Sequence, residues 1–149
     1  MRPYLRFAAM IATSTLVMFG LMYLHTYELD HVTFSETRAY MALVMGAAMA
    51  LVMLTFMRSM YERRGLNLAI YVGSVAVFAA SLWLVRSQAT VDDVSYMRAM
   101  IPHHSIALLT SERARIEDPR VRALADQIIE AQRTEIERMK ELIDELEGR

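Results

Sequence analysis

The chain contains no cysteine, which excludes disulfides, thiolate metal ligation and cysteine nucleophiles together. It carries no phosphate-binding glycine loop, no nucleotide fingerprint and no serine–histidine–aspartate set, so nothing in it calls for catalysis and no enzyme is expected. A basic stripe is missing as well. From Ser87 onward nine Lys and Arg stand against thirteen Asp and Glu, a balance that lacks the cationic footprint of a nucleic-acid binder.

Charge itself is absent from three long runs, 7–24, 40–57 and 66–85. Each approaches the ~20 residues that cross a bilayer core at ~1.5 Å per residue. The chain is 55% hydrophobic with a mean hydropathy of +0.24, above the ~45–50% apolar content of a soluble domain. Three membrane spans are therefore predicted. The first is read as a retained anchor, because its apolar run exceeds a typical signal core of ~7–15 residues and no small-x-small cleavage site follows it.

Arg2 and Arg6 precede the first span, and Arg58, Arg63 and Arg64 lie between the second and third. The loop between the first and second holds Glu28, Asp30 and Glu36 against Arg38 alone. By the positive-inside rule the N-terminus is cytoplasmic and the C-terminal third lies outside. In a bacterium this is an inner-membrane protein with a periplasmic or extracellular domain. The predicted division is a membrane region over 1–86 and an extracytoplasmic domain over 87–149.

The outer part reads as two helices, roughly 91–117 and 119–147. Thr90 with Asp93 forms a capping-box pattern at the first, and Asp118 precedes a proline at the first helical position of the second. A turn this short makes an antiparallel αα-hairpin. Whether the third span and the first outer helix are one rod is left open by the connector. The fold class is all-α.

An apolar seam with alternating steps of four and three runs through Val121, Ala125, Ile128, Gln132, Glu135, Met139, Leu142 and Leu146, with a matching seam of Val94, Met97, Ile101, His104 and Leu108. Gln132, Glu135 and His104 are the polar members. An antiparallel register about Asp118 sets His104 opposite Gln132 and Met97 opposite Met139. Met97, Met100, His103, His104 and Met139 thus fall in one band, beside Gln132 and Glu135. Taken singly, such residues fix register or fill gaps.

Taken together, thioether and imidazole form a soft-to-borderline donor set that suits copper, as Cu(I) or Cu(II), and zinc is admitted through the histidines and Glu135. Pro102 has no N–H for the Arg98 carbonyl and is expected to bend the helix and re-aim the histidines.

The runs "MRAMIPHHSIALL" and "DPRVRALADQIIEAQRTEIERMKEL", the second with Gln132, Glu135, Ile136 and Met139, resemble the domain of unknown function numbered 305 over about Val91 to Leu146. The resemblance implies a ferritin-like, exported, copper-associated helical domain. Many such domains complete a four-helix bundle, whereas only two outer helices are visible here, a half bundle. A homodimer joined through the hairpins is therefore expected, since Ile129, Ile136 and Ile143 would otherwise be poorly covered.

In the second span Met41, Met45, Met49, Met53 and Met57 recur every four residues beside Ala42, Gly46 and Ala50, a pattern of close helix packing. A thioether path for Cu(I), entered from His25 and His31, is the sharper alternative.

The leading function is a membrane-anchored copper-binding protein that sequesters the metal or hands it to a copper-handling partner. The alternative is a structural or assembly subunit with a polar seam and no metal. A di-iron enzyme ranks third, because such sites use Glu-x-x-His on facing helices and no such spacing is read before any of the four histidines.

Overall fold

Five helices follow from those patterns in the computed structural model, which describes residues 2–148. They are α1 (Arg2–Leu21), α2 (Glu36–Phe56), α3 (Arg64–Ser87), α4 (Asp93–Arg113) and α5 (Pro119–Glu147), with single 3₁₀ turns at Leu29–His31 and Arg58–Met60. No strand occurs among the described residues, and the chain is all-α. It divides into two units, Met1–Met22 with Thr37–Thr90, and Tyr23–Glu36 with Val91–Arg149. The segment 23–36, which the sequence division leaves in the membrane region, packs with α4 and α5.

In the first unit α1, α2 and α3 are each long and apolar enough to cross a membrane. The helices do not coincide with the charge-free runs. α1 begins at Arg2 and stops at Leu21, because charge-free windows locate apolar content and not helix ends. Thr15 of α1 lies against Gly46 of α2, so close that a Cβ on Gly46 would collide with the threonine hydroxyl. That hydroxyl is already donated to the Ile11 carbonyl at 2.8 Å.

Phe7, Ala50, Leu54 and Tyr61 form a buried cluster, with Met53 and Met57 packed on it. Ordinary packing accounts for that part of the methionine ribbon. The Tyr4 hydroxyl accepts from the Arg63 N–H at 3.0 Å and donates to Asn67 Oδ1 at 2.9 Å, tying α1 to the start of α3.

α3 and α4 are separate helices. Gln88 closes α3 in the left-handed conformation at φ 53°. The cap of α4 is Asp92, which accepts from the Ser95 N–H at 2.7 Å, and not Thr90. An aspartate two residues nearer the first apolar position serves the free N–H groups better. α5 starts as the sequence predicts, with Asp118 accepting from the Arg120 N–H.

In the second unit α4 and α5 pack antiparallel. Arg122 reaches the Ser111 carbonyl near the turn, His104 faces Glu135 further along, and Arg98 pairs with Glu147 at the far end.

The core comprises Met97, Ile101, Leu108, Ile136, Met139 and Ile143. On α5 the buried positions are Ala125, Ile136, Met139 and Ile143, with Ile128, Ile129, Gln132 and Leu142 half-buried beside them, so the seam is centred on 129, 136 and 143 rather than on 128, 135 and 142, whose Ile128 and Leu142 lie on its flank. Glu135 is exposed at its edge. Both phases contain apolar residues, and only the second requires a buried carboxylate. Ile136 and Ile143 are buried within the single chain, at 2% and 8% exposure.

Gly46→Ala should destabilise the membrane unit by about 1–3 kcal/mol through overpacking against Thr15, and Thr15→Gly in the same chain should recover most of the loss. Thermal unfolding of the detergent-solubilised protein measures both. An undiminished midpoint in Gly46→Ala would show that the two helices do not approach closely there.

Candidate metal site

His104 lies on α4 one residue from the core position Ser105, half-buried, with its Nδ1 sealed from solvent and without a hydrogen bond. Glu135 Oε2 of α5 stands 3.3 Å from that nitrogen, at ion-pair distance but out of line for a hydrogen bond. The same carboxylate oxygen accepts from Gln132 Nε2 at 3.3 Å. Burial depresses the pKa of His104 most, the His103 ring adds to the depression, and Glu135 opposes it. The imidazole is therefore neutral near pH 7, which is the form that ligates a metal.

His104, Gln132 and Glu135 are thus brought together. His103 is exposed, with its ring centroid 6.1 Å from that of His104. Met97 and Met139 are buried in the apolar core, and Met100 packs against it half-buried. The orphaned nitrogen and the adjacent carboxylate fit a metal ion. The methionine sulfurs sit among hydrocarbon, where thioethers also serve as packing.

Beside this group is a construction that the sequence reading missed, the docking of 23–36 onto the hairpin. Pro102 removes the N–H that would have reached the Arg98 carbonyl, and Thr33 Oγ1 donates to that carbonyl at 2.5 Å. Ser105, with no exposed surface, accepts from the Tyr27 N–H at 2.6 Å and meets His31 Nδ1 at 3.0 Å. The Tyr27 hydroxyl donates to Glu112, which also accepts from Arg133. Positions 98, 105 and 112 are seven apart, two helical turns each, and so share one face of α4. Lys140 of α5 pairs with Asp30 on the other side. The segment therefore covers part of the hairpin that the sequence leaves open for a second copy.

His31 is 5% exposed, and its Nε2 lies 3.9 Å from oxygens of both Glu28 and Asp30. These three form a second compact group of metal-capable side chains. Glu28 precedes His31 by three residues, a Glu-x-x-His spacing the sequence reading overlooked. A di-iron centre requires that motif from each of two facing helices, and here it stands once, in a 3₁₀ turn. With Asp30 engaged by Lys140 and Nδ1 of His31 engaged by Ser105, the group is an electrostatic clasp. The signal that would have revealed the clasp is the polar heptad Arg98, Ser105, Glu112, regular but silent about its partner.

Residues 93–149 match the family described as Domain of unknown function (DUF305). A protein of Acanthamoeba polyphaga mimivirus, described as uncharacterized protein L153, is 33% identical over 108 residues, covering 71% of this chain and 69% of that protein. No solved structure matches the chain.

Ser105→Ala strips the partner from two buried groups, at about 1–3 kcal/mol. Hydrogen exchange should accelerate in 23–36 and along the Ser105 face of α4. Unchanged protection at Tyr27 would refute the clasp. The pH dependence has a fixed sign. A histidine whose folded pKa is depressed contributes stability above its unfolded value near 6.5, lost as pH falls through the folded value. Asp30 and Glu112, held down by Lys140 and by Tyr27 with Arg133, add a second loss as the pH drops below the usual carboxylate range. Stability of the second unit should therefore decline in two stages on acidification, and His104→Gln should remove the first.

Proposed function

The chain belongs to the DUF305 family, and from that premise and the geometry at His104 we propose that it is a membrane-anchored protein whose outer helical unit binds copper. The observation that carries this reading is the sealed, unpartnered Nδ1 of His104 facing the Glu135 carboxylate. A buried imidazole nitrogen without a partner costs free energy, and metal ligation offsets that cost. His104 and Glu135 would hold the ion, with Gln132 steering the carboxylate. Met97, Met100 and Met139 would add thioether donors, and His103 a second imidazole. Bound copper supplies a storage or transfer form of the metal, and zinc is the competing occupant.

The arginine distribution supports an orientation with the N-terminus in the cytoplasm and the outer unit beyond the membrane, periplasmic in a bacterium. There the protein would sequester copper or pass it to a copper-handling partner. The ground for a homodimer is narrower than the sequence suggests, since Ile136 and Ile143 are already covered. It now rests on Val121, Leu124 and Leu146, which expose 49%, 56% and 60% of their surface. A structural subunit without metal is the second reading, favoured by Met97 and Met139 lying inside the apolar core.

Metal analysis of the full chain, purified without an affinity tag, separates the two. Copper should be retained, and His104→Ala should lower Cu(I) affinity at least tenfold. Met97→Leu with Met139→Leu should weaken Cu(I) more than Cu(II) without loss of helix content. Copper binding that survives His103→Ala/His104→Ala intact would return these histidines to a structural role. On topology, a reporter fused after Arg149 should be active only outside the cytoplasm, and cytoplasmic activity would reverse the orientation.

A further inference from the structure

A groove of about 790 Å³ runs between α1, α2 and α3, walled by Phe7, Ile11, Ala12, Ala47, Ile70 and Gly73. Its residues are almost all apolar, with Tyr4, Thr15 and Ser74 as its polar members. The walls are set apart by packing at the two ends. Thr15 closes on Gly46 at one level, and the Tyr4–Arg63–Asn67 hydrogen bonds hold α1 to α3 at the other.

Gly73 faces open space, for a Cβ there would meet nothing within 4 Å. Volumes of ~300–1,000 Å³ are those of small-molecule sites. A spanning helix of ~18 residues, ~10 Å across and rising ~1.5 Å per residue, fills about 2,000 Å³, too much to seat in this groove.

The tyrosine end of the groove is strongly cationic. Arg63 shares its backbone N–H with Tyr4, Arg64 opens α3 two residues before the groove residue Leu66, and Arg2, Arg6 and Arg58 lie on the neighbouring turns. All five are exposed, against the one carboxylate of Glu62 in these turns. An amphiphile with an anionic head and a flexible apolar tail matches both features at once. Cationic residues at the end of a membrane helix attract such heads.

We propose that this groove is a binding site for one anionic phospholipid, its acyl chain lying along Ala12, Ala47 and Gly73 and its phosphate at Arg63 and Arg64. The site rests on the membrane character of α1, α2 and α3 and is independent of copper.

Native mass spectrometry of the full chain in detergent, titrated with phosphatidylglycerol, phosphatidylcholine or glycerol 3-phosphate, tests it. One phosphatidylglycerol should be retained, at least tenfold more tightly than phosphatidylcholine, and the headgroup alone should not be held. Gly73→Leu should lower phosphatidylglycerol affinity at least tenfold. Gly20→Leu, equally uncrowded and outside the groove, should leave it unchanged. Arg63→Gln/Arg64→Gln should abolish the preference for phosphatidylglycerol while sparing phosphatidylcholine.

A phosphatidylglycerol with a photoreactive acyl chain should label Ala12, Ala47 and Ile70 in the unsubstituted protein, and not the exposed Leu68 or Val75, which makes the result independent of how any variant folds. Equal binding by Gly73→Leu, labelling spread over the outer faces, or a dimer that fills the groove and is lost in Gly73→Leu would each overturn the proposal.

Discussion

The unit built on α4 and α5 depends on a buried oxygen. Ser105 Oγ has no contact with solvent, yet it serves the Tyr27 N–H and the His31 ring at once. A hydroxyl in the middle of an apolar helix face costs free energy unless it is fully engaged, so burial of α4 requires the segment 23–36 to be in place. The same holds for the Arg98 carbonyl, which Pro102 leaves without an intrahelical donor and Thr33 satisfies. Two local defects of α4, a serine inward and a proline mid-helix, become the two attachment points of one loop. Local sequence features that look like conflicts are resolved in the tertiary structure.

This explains why the hairpin was legible and its cover was not. Helix α5 could be read to the residue because Asp118, Pro119 and Gly148 are local signals whose chemistry acts within one turn. The antiparallel pairing followed from the short turn. The seam phase did not, because Ile128 and Leu142 are as apolar as Ile129 and Ile143, and the decision lies in avoiding burial of Glu135. The docking of 23–36 was invisible for another reason. Its bonds join residues 65 to 110 positions apart, and nothing in "YELDHVTFS" has the periodicity of an element.

For the site, the sequence grouped seven residues by level, and the structure sorts them by environment. His104, Gln132 and Glu135 meet at the edge of the seam, Met97 and Met139 are core, and His103 points to solvent. Level along a helix was legible from numbering alone, whereas azimuth depended on the seam phase that the sequence left ambiguous. One step of ~100° separates a core position from its neighbour.

His31 and His104 are two histidines of one unit in opposite environments. His31 is the more deeply buried, but its Nδ1 is met by Ser105 and its Nε2 lies near two carboxylates. Both ring nitrogens thus have polar neighbours within the chain, which suits a residue that fastens a loop. His104 is less buried, yet its inward nitrogen lacks a hydrogen bond and its charged form is penalised by burial. A packing role alone would have been served by an apolar residue of similar volume without an orphaned nitrogen. A ligand role needs the neutral, unpartnered form that burial enforces. Depth alone therefore does not tell the two environments apart. What distinguishes the two is whether Nδ1 has a hydrogen-bond partner within the chain.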